Sequence, residues 1–319
     1  MERPGFTKAL LHPRYWLLWL GLGLLWLIVR LPYRWLLRLG RLVGWVMYIA
    51  MPARREIARV NLALCFPERS EGEREQLLRA NFASNGIALF EMAMAWFWPS
   101  ERLARLAHVQ GLEHLQQARA KGQGVVLMSL HFTTLEIGAA LLSQKIVIDG
   151  MYREHKNKAF DFVQRRGRER HNAEAWAVER DNVRVMLKSL RQGRAIWYAP
   201  DQDYGRKVSV FAPLFGQQAA TVTATSTFAR LGKAQVVPFL QHRRADGSGY
   251  DLIVYPPLED FPSGDEIADA TRINQWVEAS ILTQPEQYMW VHRRFKTRPE
   301  GEVRPYAKQR KRKKSRRAA

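Results

Sequence analysis

The chain has 319 residues, one cysteine and a formal charge of +20 at neutral pH. That length fits one large domain or two small ones, and without a linker, an internal repeat or a mid-chain low-complexity stretch, one domain is the simpler reading. The single cysteine, Cys65, excludes an intramolecular disulfide and a cysteine-rich metal site.

Residues 15–29 carry no charge and include Tyr15 and three tryptophans, Trp16, Trp19 and Trp26. As a helix this run spans about 22 Å, short of the roughly 30 Å hydrocarbon core, although Arg14 and Arg30 at its ends can snorkel. A cleaved signal peptide fits poorly, because Arg30, Arg34, Arg38 and Arg41 stand where a small-residue cleavage site belongs. After Pro32, the spacing of Trp35, Leu36, Leu39, Leu42, Val43 and Val46, with arginines between, predicts an amphipathic interfacial helix. Residues 1–50 are therefore expected to form a retained membrane anchor. The excess of basic residues after the run over those before it places the body on the cytoplasmic side of the membrane. Length alone does not decide between a spanning and a one-leaflet anchor.

Residues 51–305 read as the α/β domain. Leu77, Leu78, Phe82, Ile87, Phe90 and Met94 predict a helix over 73–97, closed by Pro99 and Ser100, with Asn81 and Glu91 on its inward stripe as structural residues. A short helix over 111–122 precedes an apolar strand at 125–130. A second apolar run, 146–148, leads to Arg153, and 157–171 reads as a basic helix. An amphipathic helix over 183–190 ends at Gly193, and a strand at 195–199 runs into a polar loop holding Asp201 and Asp203. A helix near 221–231, strands at 236–240 and 250–255, and a helix over 266–282 complete the domain. Strands alternating with helices predict a central sheet covered on both faces, with ligands at the polar strand ends. Eight basic residues then crowd into 308–317, within a tail, 306–319, expected to be unstructured; the remainder still carries +12. Such basicity seeks phosphates on anionic lipid or nucleic acid. No nucleic-acid-binding motif accompanies it, so a basic membrane-associated nucleic-acid-binding protein is a remote alternative and no nucleic acid is expected as a partner.

The residues most suggestive of chemistry are His131 and Glu136, just past the strand at 125–130. Five positions apart on one continuous helix, they would lie about 140° apart and not share a face. They can meet only if His131 ends the strand and Glu136 lies in the first turn of the next helix. An imidazole so placed can take a proton at neutral pH, with the carboxylate fixing its tautomer. The competing reading makes Thr133 and Glu136 a capping box, with His131 a core residue. The chain lacks a G-x-S-x-G elbow, a P-loop and H-E-x-x-H, which argues against serine-hydrolase, nucleotide and zinc chemistry.

Four stretches together resemble the late, or secondary, acyltransferases of lipid A biosynthesis, the lauroyl and myristoyl transferases of Gram-negative bacteria: HFTTLE at 131–136, GMYREHKN at 150–157 with RRGR at 165–168, YAPDQDYGRKVSVFAPLFG at 198–216, and PEQYMWVHRRFKTRPEG at 285–301. The resemblance runs from the N-terminal anchor to Gly301. It implies a glycerolipid-acyltransferase-like α/β fold with His131 and Glu136 as the catalytic H-x-x-x-x-E pair. The implied reaction moves a fatty acyl group from acyl carrier protein to the 3-hydroxyl of a hydroxyacyl chain on the lipid A precursor, with no metal and no dissociable cofactor. A glycolipid or glycerophospholipid acyltransferase using the same pair is the alternative. The phosphates of that acceptor give Arg153 and Arg168 an expected binding role, with Asp201 and Asp203 as a turn ordering an arginine. Arg293 and Arg294 are expected to serve the acceptor or the acidic carrier protein. Acyl length, the position acylated and the oxyanion donors are not legible in the sequence.

Overall fold

The computed structural model describes residues 5–306; beyond Tyr306, the predicted basic tail lies outside the described residues. The chain begins with α1 (Trp16–Ile28), α2 (Tyr33–Ala50), α3 (Pro52–Cys65), α4 (Glu71–Phe97) and α5 (Ser100–Ala104). α4 starts on a capping box: Glu73 N donates to Ser70 Oγ, and Ser70 N donates to Glu73 Oε2 at 2.8 Å. α2 lies against α4 at backbone distance. A Cβ added to Gly44 would sit 2.3 Å from the Phe82 carbonyl oxygen, and one added to Gly86 would sit 2.2 Å from that of Gly40. Glycine is required at this crossing because no side chain fits between the two backbones.

The sheet region follows as β1 (Ala107–Gln110), α6 (Leu112–Ala120), β2 (Gly124–Met128), α7 (Leu135–Ser143), β3 (Ile148–Tyr152), α8 (Lys158–Glu169), β4 (Ala177–Glu179), α9 (Val183–Arg191) and β5 (Ala195–Tyr198). The chain then continues through β6 (Ser209–Leu214), β7 (Gln217–Val222), α10 (Ala224–Gly232), β8 (Ala234–Arg243), β9 (Tyr250–Val254) and α11 (Glu266–Thr283). Seven strands form one sheet in the order β1-β9-β8-β2-β5-β3-β4; β8 and β9 are antiparallel and the other neighbours parallel. β2 is buried along its whole length, as a central parallel strand covered on both faces must be. Its side chains alternate between two apolar layers. Val126 and Met128 join the layer that includes Leu62, Leu190 and Phe228, while Val125 and Leu127 join Phe90, Ile137 and Trp197. The α/β expectation holds.

One expectation changes. The predicted helix at 221–231 begins only at Ala224, because residues 217–222 pair with 209–214 as a separate hairpin around Phe215 and Gly216, both at positive φ. At the N-terminus, α1 has 13 residues, about 20 Å of helix. Among the described residues no single helix is long and apolar enough to cross a membrane. Leu22, Val29 and Leu36 pack into the body, whereas Leu17, Leu20 and Trp16 are 82%, 70% and 64% exposed.

Candidate active site

β2 and β5 run parallel, with Met128 opposite Tyr198. Three residues past each strand end, that register brings His131 opposite Asp201. The His131 amide donates to Asp201 Oδ2 at 3.0 Å, and Nδ1 donates to Asp201 Oδ1 at 2.6 Å. Asp201 is buried. Burial opposes its ionisation, but the paired His131 ring and amide outweigh that and hold the carboxyl below its usual range. An ionised carboxylate only accepts, so the proton of the neutral imidazole sits on Nδ1 and leaves the Nε2 lone pair free.

The turn carrying His131 is held from behind. Met289 N donates to His131 O at 3.0 Å, Thr133 N to Gln287 O at 2.7 Å, and Thr134 Oγ1 to Gln241 O at 3.0 Å. Asn81 of α4 in turn donates to the carbonyls of Glu286 and Tyr288 at 2.9 and 2.6 Å. The PEQYMW stretch is therefore a backing for the histidine turn, and Asn81 is structural as expected. So is Glu91, which accepts from Arg243 at 2.7 Å and the Tyr250 hydroxyl at 2.8 Å.

Glu136 lies in the first turn of α7, as foreseen, but its oxygens are engaged elsewhere. Arg168 of α8 donates to both through Nε, at 3.1 and 3.2 Å, and again through Nη2; Trp96 Nε1 donates at 3.3 Å. Gly167 makes room for that indole, since a Cβ there would meet Trp96 at 2.5 Å. Burial resists ionisation of Glu136, yet the Arg168 guanidinium prevails and holds its carboxyl below the usual range. The capping box does not form either, for α7 has no side-chain cap. The expected His131–Glu136 contact is thus corrected: the imidazole pairs with Asp201, from a neighbouring strand end, and Glu136 pairs with Arg168. The physical reason is direction. The His131 ring reaches across the sheet toward β5, while Glu136 points along α7 toward α4 and α8.

His131, Glu136, Arg153 and Arg168 line one cavity of about 1080 Å³, just above the roughly 300–1,000 Å³ usual for ligand sites. Trp96, Ala139, Ala140, Ile148 and Trp197 give it an apolar arm. Three other expected residues lie away from it. Asp203 accepts from Gly205 N, Thr297 N and Thr297 Oγ1 at 2.8–2.9 Å, so it orders a turn and no arginine of the cavity. Arg294 is buried and donates to Ala220 O at 2.8 Å, pinning β7, and Arg293 stacks over Tyr306 at 6.0 Å. Arg180, Tyr204 and Trp96 belong to the cavity wall and were missed. The strand register could have found Arg180, because β3 and β4 are adjacent and Arg180 follows β4 as Arg153 follows β3.

The sequence pattern of the family described as bacterial lipid A biosynthesis acyltransferase matches residues 3–297. The chain is 48% identical over 299 residues to the lipid A biosynthesis lauroyltransferase of Escherichia coli (strain K12), covering 93% of this chain and 97% of that protein. It is 44% identical over 298 residues to the lipid A biosynthesis palmitoleoyltransferase of the same organism, covering 93% and 96%. It is 34% identical over 308 residues to that organism's lipid A biosynthesis myristoyltransferase, covering 95% and 94%.

Proposed function

The chain belongs to the bacterial lipid A biosynthesis acyltransferases, and on that premise we propose that it moves a fatty acyl group from acyl carrier protein to the 3-hydroxyl of a hydroxyacyl chain on the lipid A precursor, with His131 as general base. In this step Nε2 takes the hydroxyl proton as the oxygen attacks the thioester carbonyl. The carbon–sulfur bond breaks, and the departing thiolate recovers the proton from the imidazolium, leaving an ester and a free carrier thiol. Asp201, hydrogen-bonded to Nδ1, stabilises the imidazolium between those two transfers. The thioester provides its own leaving group, so the step calls for no metal or redox cofactor. Glu136 and Arg168 act as a paired wall of the cavity, and the apolar arm receives hydrocarbon. The names of the relatives, all lipid A transferases, favour this acceptor over a glycerophospholipid.

The observation that carries the reading is the 2.6 Å contact between His131 Nδ1 and Asp201 at the wall of a cavity with apolar and cationic surfaces. The enzyme is proposed to work at the cytoplasmic face of the inner membrane. In support, α1 and α2 turn large apolar side chains outward, and arginines stack on their tryptophans: Arg30 lies 4.1 Å from the Trp26 ring and Arg38 lies 5.1 Å from that of Trp35. Such amphipathic pairs suit an anionic membrane interface. Mass spectrometry of lipid A from a strain lacking this protein tests the function. Loss of one secondary acyl chain is expected, naming the donor and position together, whereas unchanged lipid A in a strain without a second such enzyme would contradict it.

A further inference from the structure

Arg153 and Arg180 stand directly after β3 and β4. Those strands are parallel, with Tyr152 opposite Glu179, so the register sets Arg153 beside Arg180 at the rim of the sheet. Neighbouring strands lie about 4.8 Å apart, and the Arg180 amide continues the ladder by donating to Tyr152 O at 2.8 Å. Both arginines line the cavity that holds His131. Tyr204, on the loop after β5, closes the third side: the Arg180 guanidinium is 5.8 Å from its ring centroid, and Tyr204 is 45% exposed.

This juxtaposition is only weakly compensated within the protein. Arg168, the cavity's third arginine, is occupied by Glu136. Among the described residues Arg153 has neither an ion pair nor a hydrogen bond through its side chain. Arg180 has, besides Tyr204, one carboxylate, Asp181, which is 91% exposed and 3.5 Å away. That approach makes no hydrogen bond, and Arg180 Nε is left buried without an acceptor. Adjacent guanidiniums repel, and a buried donor without a partner is costly. A tetrahedral dianion between them relieves both, since each planar fork can give it two parallel bonds.

We propose that Arg153, Arg180 and Tyr204 form a seat for a phosphate group at the mouth of the catalytic cavity. Assigning that phosphate to a substrate rests on the acyl-transfer reading. Two sources carry the chemistry: a phosphate on the glycolipid acceptor, and the phosphodiester in the carrier protein's thiol arm. The acceptor is favoured because the seat shares one cavity with the His131 base that meets the acceptor hydroxyl.

The test compares purified full-length R153Q, R180Q and R180K with wild type, and with R184Q, an exposed arginine outside the cavity. Each is assayed with phosphorylated acceptor and with the same acceptor dephosphorylated. Each glutamine variant is expected to raise KM for the phosphorylated acceptor about tenfold, as befits one lost charge-assisted hydrogen bond. R180K should fall between, and the dephosphorylated acceptor should be insensitive to all three. A rise confined to the donor KM, with either acceptor, would keep the seat and assign it to the carrier arm. No change in either KM beyond that of R184Q would overturn it. Broadening of the phosphorus resonance of inorganic phosphate by wild type, and its loss in R153Q and R180Q, reads the seat without turnover. Phosphate binding without acyl transfer would count against the proposed function alone; equal broadening by wild type and variants would overturn the seat.

Discussion

Replacing Asp201 with asparagine separates the two carboxylates that compete for a role beside His131. The Asp201 side chain is 1% exposed and that of His131 22%. It accepts from both the ring and the amide of His131, at 2.6 and 3.0 Å. A carboxamide has one accepting oxygen, so D201N keeps one contact and turns an N–H against the other donor. It also removes a charge that, at an effective dielectric near 20 and about 4 Å, favours the imidazolium by about 4 kcal/mol. Screening through the exposed edge of the ring reduces this to about 3 kcal/mol, on the order of a hundredfold in rate. Steady-state acyl transfer by purified D201N should therefore show kcat down on the order of 10²-fold, with both KM values little changed. Circular dichroism and thermal melting should show a folded protein. The reasoning is refuted if D201N turns over at the wild-type rate while E136Q loses kcat with its fold intact, for then Glu136 would be the partner of the base in the working enzyme.

The Glu136–Arg168 pair is expected to act on stability first. E136Q strands a mostly buried guanidinium and should cost about 3 kcal/mol, and the double variant E136L/R168M should recover most of that in denaturant titrations. Both Glu136 and Asp201 titrate below their ordinary unfolded values of about 4.3 and 3.9. The stability they contribute is complete above those values and is lost as pH falls through the lower folded ones. Wild type should thus lose stability steeply below about pH 4, and E136L/R168M less steeply, by melting temperature against pH. G44A should lower stability by about 1–3 kcal/mol, because its methyl meets backbone at 2.3 Å and forces α2 away from α4. Converting the exposed Leu17, Leu20 and Leu24 to serine should weaken binding to anionic vesicles by about tenfold or more, given the transfer free energy of leucine. Unchanged sedimentation with vesicles would remove that face as the membrane contact.

The α/β frame was legible because its strands are short apolar runs punctuated by glycine and proline, and periodicity reports that directly. The helix after His131 and the placement of Glu136 in its first turn were legible for the same reason. The partner of His131 was not. Asp201 lies 70 residues away, and only the pairing of β2 with β5 reveals that both residues sit three positions beyond matched strand ends. Local spacing favoured Glu136, whose true neighbour, Arg168, lies 32 residues away in sequence and arrives on α8. Arg294 looked like a ligand residue because it is charged, whereas its burial against β7 is a tertiary fact. The hairpin at 209–222 was hidden by small residues that carry no strong period. The N-terminal helices announced their apolar character, but the glycine contacts that bind α2 to α4 need both helices in view.

Acyl transfer by purified H131A tests the central assignment most directly. In a single turnover with acyl-loaded acyl carrier protein as donor, no ester above background is expected from a protein whose melting temperature and vesicle binding match wild type. Ester formation at a rate near that of wild type would contradict it.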